Sequence, residues 1–200
     1  MSREEPHVVA ALVDLCKSLD VKCVIQVGSE DGWEAEKVRE ATGCRAIAID
    51  ADPKCQPCSK DLEYYRFVVG ATNSDSVPFY VHSSEGLSSL IPREDSKEEK
   101  IHKPQVRLDF LCSLMLLKPD ALIIDTEGTT MEVLEGCGTL LDSVKLIYAE
   151  CQVDVIRPGI RTLPEVDSFL AVRGFKRHHE LPSYDGGAQG NYTWIRTILH

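Results

Sequence analysis

The chain has 200 residues and a formal net charge of −10, a length that fits one domain with a full core and is short for two. The acidic balance argues against a broad electrostatic grip on nucleic acid. No apolar run approaches the roughly 20 residues that cross a bilayer, and the opening Met-Ser-Arg-Glu-Glu-Pro lacks a signal-peptide core, so the expectation is a cytoplasmic protein. Six of the eight cysteines, Cys16, Cys23, Cys44, Cys112, Cys137 and Cys151, sit in apolar segments, as buried thiols do. Cys55-Gln-Pro-Cys58 is the exception. With no second C-x-x-C and no helical His pair near it, the spacing reads as incidental rather than as zinc or redox chemistry.

The predicted elements run as follows. Val8, Val9, Leu12, Leu15, Cys16 and Leu19 keep the helical period over 5–19. A short apolar strand at 22–27 ends in Gly28, and Gly32 opens a helix over 32–42. A second buried-type strand, Arg45-Ala-Ile-Ala-Ile-Asp50, follows, and Asp52-Pro53 is expected to start a short helix with Asp52 as its cap. A third strand is read at Tyr65-Arg-Phe-Val-Val-Gly70. The alternating 77–82 falls outside a βαβ repeat and is read as an inserted hairpin arm. Polar residues 92–104 read as a loop and candidate lid. Helices are predicted at 106–117, 129–141 and 162–173, and strands at 121–125, 144–150, 174–180 and 192–199. This alternation predicts an α/β sandwich with a mostly parallel sheet, residues 1–200 forming one domain with an N-terminal helix over 1–20 and a core over 20–198.

Strand, glycine turn and helix together bring a backbone close to a nucleotide-like ligand. Glycine permits positive φ, and the helix start offers unpaired N–H donors. Asp50 lies 22 residues after Gly28, near the spacing at which an acid ending a second strand binds a ribose diol. Asp125 and Glu150 also end apolar strands. In an open parallel sheet ligands bind beyond the carboxyl ends of the strands, so these acids are expected on one rim.

Val24-Ile-Gln-Val-Gly-Ser-Glu-Asp-Gly32 followed by Ala48-Ile-Asp-Ala-Asp-Pro53 resembles the first two motifs of class I S-adenosylmethionine-dependent methyltransferases. Val68-Val-Gly-Ala-Thr-Asn-Ser74, Val77-Pro-Phe-Tyr-Val81, Ser88-Ser-Leu90, Leu108-Asp109 and Ile124-Asp-Thr-Glu-Gly-Thr-Thr-Met-Glu-Val-Leu-Glu-Gly136 are similar to the FkbM family, and Tyr148-Ala-Glu150 and Gly190-Asn-Tyr-Thr-Trp-Ile-Arg196 fit its later strands. The resemblance spans about residues 20–198.

It implies a seven-stranded Rossmann-like sheet with the last strand antiparallel, S-adenosylmethionine as cofactor, and O-methylation of an alcohol on a small molecule or glycan. Carried over by motif, Gln26, Gly28, Ser29, Glu30 and Gly32 surround the methionine and ribose, Asp50 holds the ribose diol, and Ala51, Gly70 and Ala71 border the adenine. Asp125, Glu127 and Glu150 are the candidate general bases, with Asp125 also beside the cofactor and with His82 or His178 behind them; His179 reads as a surface residue. Glu150 is alternatively paired with Arg157 or Arg161. A metal held by Asp125, Glu150 and a His has no specific spacing, and none is assigned.

Two positions depart from the family pattern. Gln26 replaces the acid at the end of the first strand, and Ile123 stands where Lys is frequent. An NAD-dependent oxidoreductase is the rival reading, though the third glycine of Gly-x-Gly-x-x-Gly is missing. A cofactor-binding relative without turnover is the other rival.

Overall fold

The computed structural model describes residues 6–84, 86–93, 97–155, 158–178 and 188–197. Its elements are α1 (Pro6–Ser18), β1 (Cys23–Val27), α2 (Trp33–Thr42), β2 (Arg45–Ile49), β3 (Glu63–Tyr65), β4 (Val68–Val69), β5 (Ser74–Val81), β6 (Glu99–Val106), α3 (Leu108–Met115), β7 (Ala121–Ile124), α4 (Thr130–Cys137), β8 (Leu146–Gln152), α5 (Leu163–Ala171), β9 (Phe175–His178) and β10 (Gln189–Arg196). A seven-stranded sheet has the order β3-β2-β1-β7-β8-β10-β9. The pairs from β3 to β8 are parallel, and β10 runs antiparallel to both β8 and β9.

Both faces of the sheet are covered, which explains the unbroken apolar strands. Alternate residues face opposite ways. Ile25, Ile47, Leu122 and Ile147 pack with Leu111, Val133, Leu134 and Val166 from α3, α4 and α5. Val24, Ala46, Ile123 and Leu146 pack with Leu12, Cys16 and Val38 from α1 and α2. All eight cysteines are thiols outside any disulfide, and only Cys58 is exposed.

The strand register positions the cleft. Val27 lies between Ile49 of β2 and Ile124 of β7, and Ile124 lies beside Ala149 of β8. The next residue on each strand falls in the next row, so Gly28, Asp50, Asp125 and Glu150 form one line across four strands. Chain order reverses at β1, which makes this line the rim of the switch-point crevice.

Several sequence expectations are corrected. The strand read at 65–70 is two strands: Glu63–Tyr65 joins the main sheet through β2, and Val68–Val69 joins a second sheet of order β4-β6-β5. Arg66 turns inward at the break and donates to the carbonyls of Asp52 and Cys55. The expected arm is present as β5, and its partner is β6, from the segment read as a loop. Residues 94–96 of that segment lie outside the described residues. The short helix expected at Asp52-Pro53 is a turn, in which Asp52 Oδ1 accepts the Lys54 N–H. The helix expected over 129–141 ends at Cys137, where Gly138 at φ 48° starts a 3-10 turn.

Gly28 carries φ +69°, and a Cβ on it would lie 1.7 Å from the Asp125 carbonyl oxygen. Gly43 has a similar φ of +71° and no heavy atom within 4 Å of the same construction. Gly43→Ala is expected to cost about 1 kcal/mol for its backbone alone, and Gly28→Ala more than about 3 kcal/mol because β1 and β7 must separate. Urea denaturation of the two variants measures the difference.

Candidate functional site

A cleft opens over the carboxyl ends of β1, β2 and β7, with about 820 Å³ of space counted to its open mouth. Its wall includes the apolar Ile49, Ala51, Phe67, Val69, Phe79 and Leu90. Its charged lining is entirely acidic: Glu30, Asp31, Glu34, Asp50, Asp52, Asp125 and Glu127. Among the described residues, no Lys, Arg or His lines it.

Asp50 receives the N–H of Glu30 at 2.7 Å and that of Asp52 at 2.7 Å. It therefore clamps the glycine turn to the end of β2. Burial pushes its carboxyl up to about 6, while the two backbone N–H bonds pull it down. Glu30 holds the turn at φ 51°, and its carbonyl accepts the Tyr64 hydroxyl at 2.6 Å.

Gln26 is buried at 3% exposure. Its Oε1 accepts the Ala35 N–H at 2.9 Å, and its Nε2 donates to Glu34 Oε2 at 2.7 Å. Helix α2 has Gly32 at its N-cap position and no side-chain cap there. The strand-one amide thus satisfies a donor that the helix start leaves open.

The acids that follow β7 meet one inside β8, which runs on to Gln152, so Glu150 does not end its strand as expected. Asp125, Glu127 and Glu150 each place a carboxylate oxygen within 4.8 Å of the others. Glu127, buried at 4% exposure and held at φ 53°, accepts Arg93 Nη2 at 2.6 Å. Glu150 accepts Gln189 Nε2 at 3.0 Å.

The connection after β5 spans the cleft. Ser88 Oγ donates to Asp52 Oδ2 at 2.6 Å on one bank, and Ser89 Oγ donates to the Glu127 carbonyl at 3.0 Å on the other. Lys54 Nζ adds a bond to the His82 carbonyl at 3.0 Å. Adjacent serines therefore tie the arm to both sides of the rim.

Gln26, Gly28, Ser29, Glu30, Asp50, Ala51, Asp125 and Glu127 all line the cleft. Gly32, Gly70 and Ala71 do not. Gly32 lets α2 approach β2, since a Cβ there would lie 2.9 Å from Ala48 Cβ and 2.4 Å from Leu62 Cδ2. Gly70 packs under α4, where a Cβ on Gly136 would lie 2.2 Å from its carbonyl oxygen. Ala71 accepts Arg107 Nη1 at its carbonyl. Phe67 and Val69 line the wall. Glu150 is in the same row but does not line the cleft. His82 is half-buried and its Nδ1 accepts the Ser84 N–H, while His178 is on outermost β9; neither lines the cleft, and no described histidine joins the acids. His179 and Arg157 lie outside the described residues, and Arg161 pairs with Glu165 rather than Glu150. Sequence reasoning assigned no role to Glu34, Arg93, Phe67 or Phe79, whose partners are all distant in sequence or on another element.

The model of the methyltransferase FkbM domain matches residues 26–177. The chain belongs to the FkbM methyltransferase family. No curated protein matches it in sequence. Solved structures share this family member's fold. The O-methyltransferase TomG from Streptomyces achromogenes, in complex with SAM, is 12% identical with a TM-score of 0.59, covering 98% of this chain and 82% of its own. The O-methyltransferase from Bacillus cereus, in complex with SAH, is 12% identical with a TM-score of 0.58, covering 98% and 84%. Magnesium protoporphyrin IX methyltransferase from Synechocystis PCC 6803, with bound SAM, is 10% identical with a TM-score of 0.55, covering 96% and 79%.

Breaking the Arg93–Glu127 pair leaves a deeply buried carboxylate without its guanidinium. Arg93→Ala is expected to destabilise this family member by about 1–3 kcal/mol. Arg93→Lys should recover part of that loss, as read by denaturant midpoint.

Proposed function

We propose that the chain is a cytoplasmic S-adenosylmethionine-dependent O-methyltransferase whose acceptor is an alcohol, a sugar hydroxyl of a glycan or glycoconjugate. Residues 1–200 are taken as one methyltransferase domain. The observation that carries the reading is the row formed by Gly28, Asp50 and Asp125 at the switch point, in a chain of the FkbM family. The acidic lining suits a cationic ligand, and the apolar wall suits an adenine face. No described helix is long and apolar enough to cross a membrane.

In this reading the Asp50 carboxylate accepts both ribose hydroxyls. Phe67, Val69 and Phe79 form the apolar bed for the base. When bound, S-adenosylmethionine supplies a methyl group already activated by its sulfonium. The protein's part is then alignment and one proton transfer. Asp125 is the proton acceptor for the attacking hydroxyl. Glu127 is less suited, because its carboxylate is committed to Arg93, and Glu150 does not line the cleft and accepts Gln189. The arm across the cleft limits water at the reacting centre. Two neighbours named as O-methyltransferases support the class of transfer through fold alone.

Asp50→Ala is expected to weaken S-adenosylmethionine binding more than tenfold by calorimetry; unchanged affinity removes the ribose assignment. Asp125→Asn should bring methyl transfer to a panel of monosaccharide-bearing acceptors to background while cofactor affinity stays within threefold. Full turnover in that variant takes Asp125 out of the mechanism.

The raised Asp50 carboxyl also sets a pH dependence. Its proton is held in the folded state between about 4 and 6 and is already released in the unfolded chain. Asp50's contribution to stability therefore falls as pH rises across that window. Cofactor affinity moves the other way, declining as pH drops through about 6, because the diol is best held by the ionised form. Titrations from pH 7.5 to 5 should show this decline in the wild type, and a flatter profile in Asp50→Asn.

A further inference from the structure

Three consecutive residues at the end of β3 grip the stretch that carries Asp50. The Tyr65 carbonyl accepts the Asp50 N–H at 3.0 Å. The Tyr64 hydroxyl donates to the Glu30 carbonyl at 2.6 Å. Arg66 Nη1 donates to the Asp52 carbonyl at 3.0 Å, and its Nη2 donates to that of Cys55 at 2.7 Å. Glu30 and Asp52 are the two residues whose N–H groups bond the Asp50 carboxylate, one on each oxygen. Each is therefore held twice, by Asp50 at its N–H and by the end of β3 at its carbonyl.

Tyr64 and Arg66 are two residues apart, a spacing that puts side chains of an extended chain on one side. The Arg66 guanidinium stands 5.4 Å from the centre of the Tyr64 ring, a cation–π contact that restrains both side chains. Burial, with Asp50 and Cys55 close by, pushes the Tyr64 hydroxyl above its ordinary value, so it stays a donor. A carboxylate offers about four lone-pair positions. The Glu30 and Asp52 N–H groups take one on each oxygen, which fixes the carboxylate plane and leaves an acceptor position on each. Two acceptors at a fixed separation suit a vicinal diol, and orienting them before the ligand arrives removes an entropic cost of binding.

We propose that Tyr64 and Arg66 are positioning residues for the Asp50 carboxylate, which they aim through the backbones of Glu30 and Asp52. The inference rests on the S-adenosylmethionine reading above, with Asp50 at the ribose. Neither Tyr64 nor Arg66 lines the cleft, so both act on a ligand through Asp50 rather than by contact. The break after Tyr65 acquires a role as well, because the chain leaves the main sheet where Arg66 turns in to the two carbonyls.

Calorimetry with S-adenosylhomocysteine and its 2′,3′-dideoxy analogue tests this, because the analogue keeps every group except the diol. Tyr64→Phe removes one hydroxyl and keeps the ring, and Arg66→Met keeps the reach and loses both donated bonds. Tyr64→Phe should weaken S-adenosylhomocysteine about threefold and Arg66→Met about tenfold, each leaving the analogue within about twofold. Arg66→Lys, which can donate to one carbonyl at a time, should fall between wild type and Arg66→Met. In an Asp50→Ala background neither substitution should weaken S-adenosylhomocysteine further, because residues that act through one group are not additive. Tyr64→Phe carries the test alone if Arg66→Met does not fold. Unchanged S-adenosylhomocysteine affinity in both variants overturns the inference, as does equal weakening of the two ligands or a further loss in the Asp50→Ala background. Failure of the wild type to bind S-adenosylhomocysteine instead removes the cofactor reading, and equal wild-type affinity for the two ligands removes Asp50 from the ribose; the inference falls with either.

Discussion

Gly28 and the carbonyl of Asp125 stand closer than any side chain would allow, and the cleft depends on that approach. Parallel pairing sets Val27 between Ile49 and Ile124. The chain must then leave β1 at once, at positive φ, without pushing β7 away. A glycine meets both demands. The Asp125 N–H bonds the Val27 carbonyl, and the Gly28 N–H bonds that of Ile49. The rim is therefore an extension of the sheet's own hydrogen bonding, and its acids inherit their positions from the register.

That inheritance explains which parts were legible in sequence. Asp50 and Asp125 follow apolar runs whose lengths fix where each strand ends, and local pattern is enough to find them. The order of the elements and the FkbM segments at 68–81 and 124–136 supplied the topology. The strand β6 was not legible, because Ile101 and Val106 are almost its only apolar residues, and a strand exposed on one face with Lys, His and Pro on it reads as loop. The break after Tyr65 was hidden for the opposite reason: 65–70 is apolar enough for one strand, and only the inward turn of Arg66 divides it.

The missed site residues share another cause. Arg93 matters through Glu127, 34 positions away, and Glu34 through Gln26 on a different element. Neither spacing is a motif. Gly32, Gly70 and Ala71, expected around the cofactor, lie outside the cleft lining. They occur in segments that resemble a cofactor motif, but two of them answer to packing, Gly32 against Leu62 and Ala48 and Gly70 against α4. A glycine in a binding motif can serve the fold that carries the site rather than the ligand.

The thiols have a practical consequence. Burial pushes Cys16 and Cys112 up to about 12 and Cys23 up to about 11, and it raises Cys55, Cys137 and Cys151 further still. Such groups scarcely form the thiolate that reacts with maleimides or iodoacetamide. Cys58 alone is exposed, and its N–H bonds the carbonyl of Asp31 in the glycine turn at 2.8 Å. Cys58 is thus the natural point for a fluorophore or spin label, joined by that hydrogen bond to the glycine turn at the cleft's edge.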